Sequence, residues 1–514
     1  MNRAAFFLLT FAVFAGICQP VYGQTKQIEY RYETSIKNLS DDKLSVRLKI
    51  SGFSEDTLTY CFPKIVPGIY GAMNFGQYIS YFEVFDKKGK KLRSEQTDLN
   101  TWKIYDAKKI AGVSYLVDDA WEAFDDKMEY GFYRSAASSF SDSSLVITPN
   151  SLFGYFRGHI NHPVKVSIQK GINLYPATSL KKVVKPNLDL FSAENYHQLV
   201  DNPILYALPD TTMIHLPGIS VEVACHSTSG KPISKDIAEY IRPLLIAQTK
   251  YLNNKLPVDH YTFLIYHHLA TNRNHLIGDG LEHSNSTLIL LYMPLDIETI
   301  RQNIYGIASH EFFHTLMPLG LHSHEIENYD YNDPKFSKHL WLYEGMTEYF
   351  TMHMPVKTGL KTEKEFFNTV EEKMAVMKEF DPNLAITDLS LHPMEMQNEY
   401  YNVYLKGALI NLCLDIKLRE LSGGKYGVKD LVLQLTDRYG QGKPFEDDKL
   451  FAEIVSMTGF KELEAFIAKY IEGTEALPLE ELLLKAGLKV VNGRISEVEN
   501  STPEQQKLRA DWLR

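Results

Sequence analysis

Hydrophobic and polar residues alternate in short runs from residue 27 to about residue 172, as in Ile28-Glu29-Tyr30-Arg31-Tyr32 and Leu44-Ser45-Val46-Arg47-Leu48-Lys49-Ile50, with Gly, Asp and Asn clusters between them. A period of two puts every second side chain on one face of a strand, so this stretch predicts half-buried antiparallel β structure. Residues 174–212 are less regular and are interrupted by Asn202-Pro203 and Leu208-Pro209. After the strand Val221-Glu222-Val223-Ala224, Ser234 is placed to cap a helix with Ile237, Ile241, Leu244 and Leu245 on one face, bent at Pro243. Tyr261-Thr262-Phe263-Leu264-Ile265-Tyr266 and Ser286-Thr287-Leu288-Ile289-Leu290-Leu291 read as strands, and residues 301–316 as a buried helix stopped by Pro318. Beyond Leu340 the period is almost wholly helical. Thr362 and Glu365 form a capping-box pair ahead of Phe366, Val370 and Met374, and Ser422-Gly423-Gly424 ends a long helix begun near Asn398. The expected fold is a multidomain α+β chain: an N-terminal antiparallel β domain at 24–175, a mixed α+β domain at 176–350, a C-terminal helical bundle at 351–490 and a tail at 491–514.

Composition narrows the function. With 514 residues, 44% of them hydrophobic, the chain can bury cores for about three domains, which excludes disorder. The 54 Lys+Arg against 64 Asp+Glu give a net charge of −10 and no footprint for a phosphate backbone, so a nucleic-acid partner is not expected. Residues 1–23 read as a signal peptide: Arg3, an uncharged apolar stretch Ala4 to Ile17 too short to span a bilayer, then Val21-Tyr22-Gly23 as the cleavage site. The mature protein is expected to be exported, periplasmic or extracellular. Lipid anchoring at Cys18 is the lesser alternative, because bulky Ile17 occupies a position where a lipobox needs a small residue. No later stretch reads as a transmembrane helix. Cys61, Cys225 and Cys413 are odd in number and show no C-x-x-C spacing, which argues against a disulfide framework or a cysteine-ligated zinc and leaves room for one disulfide.

The chemistry concentrates in two segments. His310-Glu311-Phe312-Phe313-His314 is an H-E-x-x-H sequence; on a helix its histidines share one face and can ligate one metal while Glu311 reaches the bound water as general base. The surrounding Ile304, Ile307, Ala308, Phe312 and Leu316 suit a helix buried beneath a cleft. A catalytic zinc takes three protein ligands and keeps one position open. Trp341-Leu342-Tyr343-Glu344-Gly345-Met346-Thr347-Glu348-Tyr349-Phe350 supplies two acids one turn apart in an apolar helix, where a carboxylate needs a partner. Glu344 is the better third ligand. Glu348 is either a partner that orients a ligand histidine or a solvated helix position. The loop His322 to His339 carries Glu325, Glu327, Asp330 and Asp333 in no metal-site spacing and reads as a solvated rim of the cleft.

These segments resemble the gluzincin metallopeptidases, whose third ligand is the Glu of a W-L-x-E-G element. Further matches narrow the resemblance to the glycyl aminopeptidase-type family: Gly278-Asp279-Gly280-Leu281-Glu282-His283-Ser284-Asn285-Ser286 is similar to its G-G-L-E-H-x-x-S strand, Val66-Pro67-Gly68-Ile69-Tyr70 to its P-G-x-Y turn, and residues 466–488 to the end of its helical domain. The resemblance implies a thermolysin-like catalytic domain with one zinc per chain held by His310, His314 and Glu344. It implies substrate contacts at Glu282 and Gly280, with Glu282 binding the free α-ammonium, and a tyrosine, Tyr404 of Tyr404-Leu405-Lys406-Gly407, that donates to the oxyanion; Tyr400 and Tyr401 are rivals for that part. It also implies peptide substrates with a free N-terminus, with Gly or Ala preferred. Only about 24 residues follow Val490, too few for the PDZ domain many members carry, so none is expected. Two other readings stay open: an endopeptidase on the same zinc scaffold, and a non-catalytic peptide- or glycan-binding protein, which would predict a lost ligand or base where this sequence retains all of them.

Overall fold

The computed structural model describes residues 28–37, 39, 43–121, 133–141, 143–171, 173–270, 277–440 and 442–514. The proposed leader and Cys18 therefore lie outside the described residues. Among these, no helix is long and apolar enough to cross a membrane.

The chain is multidomain α+β. Three sheets, one of eight strands and two of four, occupy the N-terminal part as far as Ile204–Ala207. Their ladders are antiparallel apart from one parallel pair, Tyr30–Ser35 with Val164–Gln169. Alternation dictates the packing: Tyr30, Tyr32, Leu44, Val46 and Leu48 point into one core, while Arg31, Arg47 and Lys49 stay in water. The irregular segment after residue 174 also contributes: Tyr175–Ala177, Lys181–Val184, Leu188–Ala193 and Ile204–Ala207 are strands of these same sheets. Their short lengths and the prolines between them hid the period.

Next comes a five-stranded sheet of β1 (Thr211–Leu216), β2 (Ile219–Ser227), β3 (His260–Leu269), β4 (Ile277–His283) and β5 (Ser286–Met293), in spatial order β1-β2-β3-β5-β4. β4 is an edge strand, antiparallel to β5. One face of the sheet sends Leu264, Leu281, Leu288 and Leu290 into the N-terminal core. The other sends Phe263, Ile265, Ile289 and Leu291 toward helices α1 (Ser234–Tyr251) and α2 (Ile297–Phe313). Burial on both faces explains why β5 reads as an unbroken apolar run. The cap of α1 differs from expectation. The Ser234 side chain does not cap; the Asp210 carboxylate, arriving from the start of β1, accepts from the N–H groups of Ile233 and Ser234, and the helix continues through Pro243.

The rest is helical apart from an antiparallel pair of strands, Leu488–Val491 and Arg494–Glu497: α3 (Leu340–Lys357), α4 (Glu363–Val376), α5 (Asn402–Ser422) and shorter helices down to α6 (Pro503–Leu513). The Thr362/Glu365 capping box opens α4, and Gly423 closes α5 in the left-handed conformation, both as the sequence predicts. Helices α3 and α5 touch through glycine: a Cβ on Gly345 would lie 2.6 Å from the Gly407 backbone, and one on Gly407 2.8 Å from Gly345 Cα. Buried Asn411 secures the crossing, its amide donating to the Trp341 and Gly407 carbonyls at 2.8 and 2.9 Å. Cys61, Cys225 and Cys413 are all buried and unpaired with one another. Because backbone faces backbone at the crossing, Gly407→Ala should separate α3 from α5, at a cost of about 1–3 kcal/mol, typical of overpacking. Chemical denaturation measures this; an unchanged midpoint would refute the contact.

Candidate functional site

Helix α2 brings His310 and Glu311 beneath β4, and His314 follows at its C-terminal cap. The i, i+4 spacing lets the two imidazoles face α3, where Glu344 Oε2 lies 3.4 Å from His310 Nε2 and 3.5 Å from His314 Nε2. Both opposite ring nitrogens are occupied. His310 Nδ1 donates to Glu348 Oε2 at 3.0 Å, and His314 Nδ1 donates to the Met317 carbonyl at 3.0 Å. These Nδ1 acceptors leave both Nε2 atoms facing Glu344, so that a cation placed between them would receive two imidazole lone pairs and a carboxylate oxygen. The separations fit zinc, since tetrahedral ligand atoms at about 2.0–2.2 Å from the metal lie about 3.3–3.6 Å apart. His310, His314 and Glu344 are thus one of two groups among the described residues that could hold a metal ion.

The second such group, Glu282, Glu311 and His314, shares a histidine with the first, so both belong to one site. Gly278, Gly280 and Glu282 alternate onto the face of β4 that meets α2. The fit requires glycine: a Cβ on Gly278 would lie 2.5 Å from Ile307 Cδ1, and one on Gly280 2.7 Å from Glu311 Oε1. From the opposite side the Pro67–Tyr70 turn covers the site. Gly68, at φ +82°, backs the Glu282 carboxylate so closely that a Cβ would meet it at 2.6 Å. The Tyr70 hydroxyl lies 3.5 Å from Glu344 Oε1. Tyr404, near the start of α5, stands with its ring 5.8 Å from that of His310 and its hydroxyl 2.9 Å from that of Tyr400. Tyr401 instead is 53% exposed.

Comparison with known proteins agrees with this layout. Residues 31–208 match the model of the peptidase M61 N-terminal domain, and residues 303–410 that of M61 glycyl aminopeptidase, together more than half of the chain. The chain belongs to the M61 glycyl aminopeptidase family. It is accordingly a zinc aminopeptidase. Among curated protein sequences no relative matches. Among solved structures, the chain is similar to an aminopeptidase N family protein from Idiomarina loihiensis, with 22% identity over 90% of this chain and 79% of that one and a TM-score of 0.75. It is also similar to an M1 zinc metallopeptidase from Deinococcus radiodurans (13% identity, 88% and 95% covered, TM-score 0.52) and to native leukotriene A4 hydrolase from Saccharomyces cerevisiae (13%, 90% and 70%, 0.52). At these identities the likeness is one of fold.

Electrostatics separate the carboxylates of this M61 member. Burial raises the Glu311 carboxyl to about 7, opposed by the two histidines, and burial raises Glu282 as well. Burial would raise Glu344 too, but His314 and His310 hold it well below the ordinary range. Burial and the Glu344 charge push the Tyr404 hydroxyl far up, which keeps it a proton donor. Three features escaped the sequence reading. Buried Lys373 of α4 donates to Glu348 Oε1 at 2.7 Å and so completes a Lys373–Glu348–His310 chain; its signal was a lysine three residues after Val370 on an apolar helix face. The Met317 carbonyl left no pattern, because a backbone acceptor has no residue code, and Tyr70, although within the P-G-x-Y match, was given no place at the site because it is distant in sequence from Glu344. The loop read as a solvated rim is only partly so: Glu327, Asp330 and Asp333 are exposed, whereas His322, Tyr329, Tyr331 and His339 are buried. Removing the His310 partner with Glu348→Ala should weaken zinc binding by about 10–100-fold in competition with a chromogenic chelator. An unaltered Kd would show that Glu348 does not orient His310.

Proposed function

We propose that the protein is an exported zinc aminopeptidase that releases small N-terminal residues, Gly and Ala first, from peptides with a free N-terminus, and that it binds one zinc per chain. The observation that carries this reading is the placement of Glu282 within 4.8 Å of Glu311 and His314, on an edge strand. An edge strand can pair with an extended peptide, and a buried carboxylate at that point selects the charged end of the chain. Charge balance supports it. Lys373 offsets Glu348, so Glu282, Glu311 and Glu344 are balanced by one divalent cation and one ammonium.

His310, His314 and Glu344 hold the zinc, which when bound supplies Lewis-acid activation of water and of the scissile carbonyl. Glu311, poised near neutrality, takes the proton of the attacking water and returns it to the departing amine. Glu282 fixes the ammonium. Gly280, lacking a side chain, leaves the Glu311 carboxylate open toward the peptide. Tyr404 donates to the oxyanion. Glu348 keeps His310 in its ligating tautomer. Domain limits near residues 350 and 490 accompany this reading, while the first limit falls after the strand Ile204–Ala207 and not near 175, because the strands between them pair within the N-terminal sheets.

One observation favours the endopeptidase alternative. A cavity of about 370 Å³ lies beside Glu282 at the end of β4, bordered by His283, Ser284 and Asn285, where residues preceding the cleaved one would extend. N-terminal acetylation decides: it should abolish cleavage, and cleavage of acetylated peptides would select the endopeptidase. Glu311→Gln should reduce kcat on glycyl and alanyl p-nitroanilides by about 10²–10⁴-fold with zinc content unchanged; unchanged hydrolysis would refute the mechanism. For export, N-terminal sequencing of the mature protein should begin at Gln24. A start at Met1 would refute signal cleavage, and a lipid-modified Cys18 would select the anchored form.

A further inference from the structure

Tyr400 and Tyr404 are one helical turn apart across the start of α5, so their side chains fall on one face. Their rings meet edge to face, 5.7 Å apart at 86°, and their hydroxyl oxygens lie 2.9 Å from each other. Burial, reinforced by the Glu344 charge, pushes both phenols far above their ordinary range, so both stay protonated. Two protonated hydroxyls at this distance place one proton between them and leave the other free to donate elsewhere. Which proton is free decides what Tyr404 can do.

If Tyr404 donated to Tyr400, its proton would be held within the pair, and that bond would have to break before the proton reached an oxyanion. If Tyr400 donates instead, the Tyr404 oxygen is the acceptor and its own proton points away from Tyr400. The surroundings favour the second arrangement. The Tyr404 ring stands 5.8 Å from that of His310, and Glu344 is the charged group that bears most strongly on its hydroxyl, whereas the group that bears most strongly on Tyr400 is Tyr404 itself. A free O–H is most stable where it faces negative charge, which assigns it to Tyr404.

Tyr400 is firmly fixed. It is buried, its ring packs against that of Tyr70 at 5.1 Å, its N–H donates to the Gln397 carbonyl at 3.3 Å and its carbonyl accepts from the Val403 N–H at 2.9 Å. The Gln397 side chain in turn donates to the Tyr70 carbonyl. The turn that covers Glu344 thus holds Tyr400, and Tyr400 holds the hydroxyl rotor of Tyr404. A hydrogen bond received by Tyr404 also polarises its O–H and strengthens what that group donates.

We propose that Tyr400 is a positioning residue whose hydroxyl donates to Tyr404 and so aims the Tyr404 proton at the tetrahedral oxyanion. The inference rests on the oxyanion part given to Tyr404 above, and it holds for either peptidase reading, because both reactions pass through that oxyanion. The test measures kcat and KM on alanyl p-nitroanilide, and by calorimetry the affinity for a phosphinic dipeptide analogue of the tetrahedral state. It compares the full-length, zinc-loaded wild type with Tyr400→Phe, Tyr404→Phe and the double variant, zinc content confirming that each folds. Tyr400→Phe keeps the ring contact with Tyr70 and should lower kcat by about 3–10-fold, the worth of one neutral hydrogen bond, with KM within about twofold. The analogue should bind this variant more weakly by the same factor. Tyr404→Phe should lower kcat by about 10²–10³-fold. Adding Tyr400→Phe to it should change kcat by less than about twofold, since the second hydroxyl then has nothing to aim. An unchanged or raised kcat in Tyr400→Phe overturns the proposal, as does a loss that multiplies in full in the double variant or that appears in KM alone. Full activity in Tyr404→Phe overturns the oxyanion role itself and the proposal with it. A wild type that cleaves acetylated peptides but no alanyl amide overturns the aminopeptidase reading only, and the same comparison on the acetylated peptide then judges Tyr400.

Discussion

The site is assembled by a contact in which neither partner has a side chain. Gly345 of α3 and Gly407 of α5 bring two helix backbones closer than any Cβ would allow. Each glycine neighbours a functional group: Glu344 precedes the first by one residue, and Tyr404 precedes the second by three. Close approach of the axes thus delivers a carboxylate and a phenol to the same end of the crossing, beside the histidines of α2. Gly278 and Gly280 on β4 act in the same way toward α2, and Gly68 toward Glu282. Around this centre, missing side chains set the distances and the remaining ones supply the chemistry.

Electrostatics explain why so polar a centre tolerates burial. Glu282, Glu311 and Glu344 lie in low dielectric, and unpaired charges there would be expensive. Each histidine spends one nitrogen on an acceptor, Glu348 or the Met317 carbonyl, and turns the other inward. The inward nitrogens and the carboxylates around them call for positive charge at the centre, which protons on the imidazoles supply in the metal-free chain and a metal cation supplies by displacing them. The differing environments also divide labour among like residues: Glu344 is held ionised by two imidazoles, whereas Glu311 is lifted by burial toward neutrality.

Much of the site was legible because its signals are local. The i, i+4 histidines on α2 and the two acids one turn apart on α3 each need only a known secondary structure to become a shared face, whereas Gly280, Glu282 and Tyr404 were read from the family resemblance. Sequence also located the α4 capping box and the glycine that ends α5, since caps are local chemistry. It failed where the partner is remote: Asp210 replaced Ser234 as the cap of α1, and the irregular stretch after residue 174 proved to be sheet, its strands too short to show a period but completed by pairing with distant ones. Lys373 and Tyr70 belong to the same class, for each meets the centre from an element that does not carry the metal-binding motif.

By itself, then, the sequence determined the chemical repertoire: an α+β chain with two imidazoles on one helix and two carboxylates one turn apart on another. These follow from spacing along single helices and strands, which the 3.6- and 2-residue periods convert into geometry without further information. Tertiary structure alone decided that Glu348 partners His310 and does not sit as a solvated helix position, that the Met317 carbonyl holds the His314 Nδ1, and that a turn from the N-terminal sheets covers Glu282 and Glu344. Such relations depend on how elements pack, and packing brings together residues as distant as Tyr70 and Glu344, whose proximity no local pattern records.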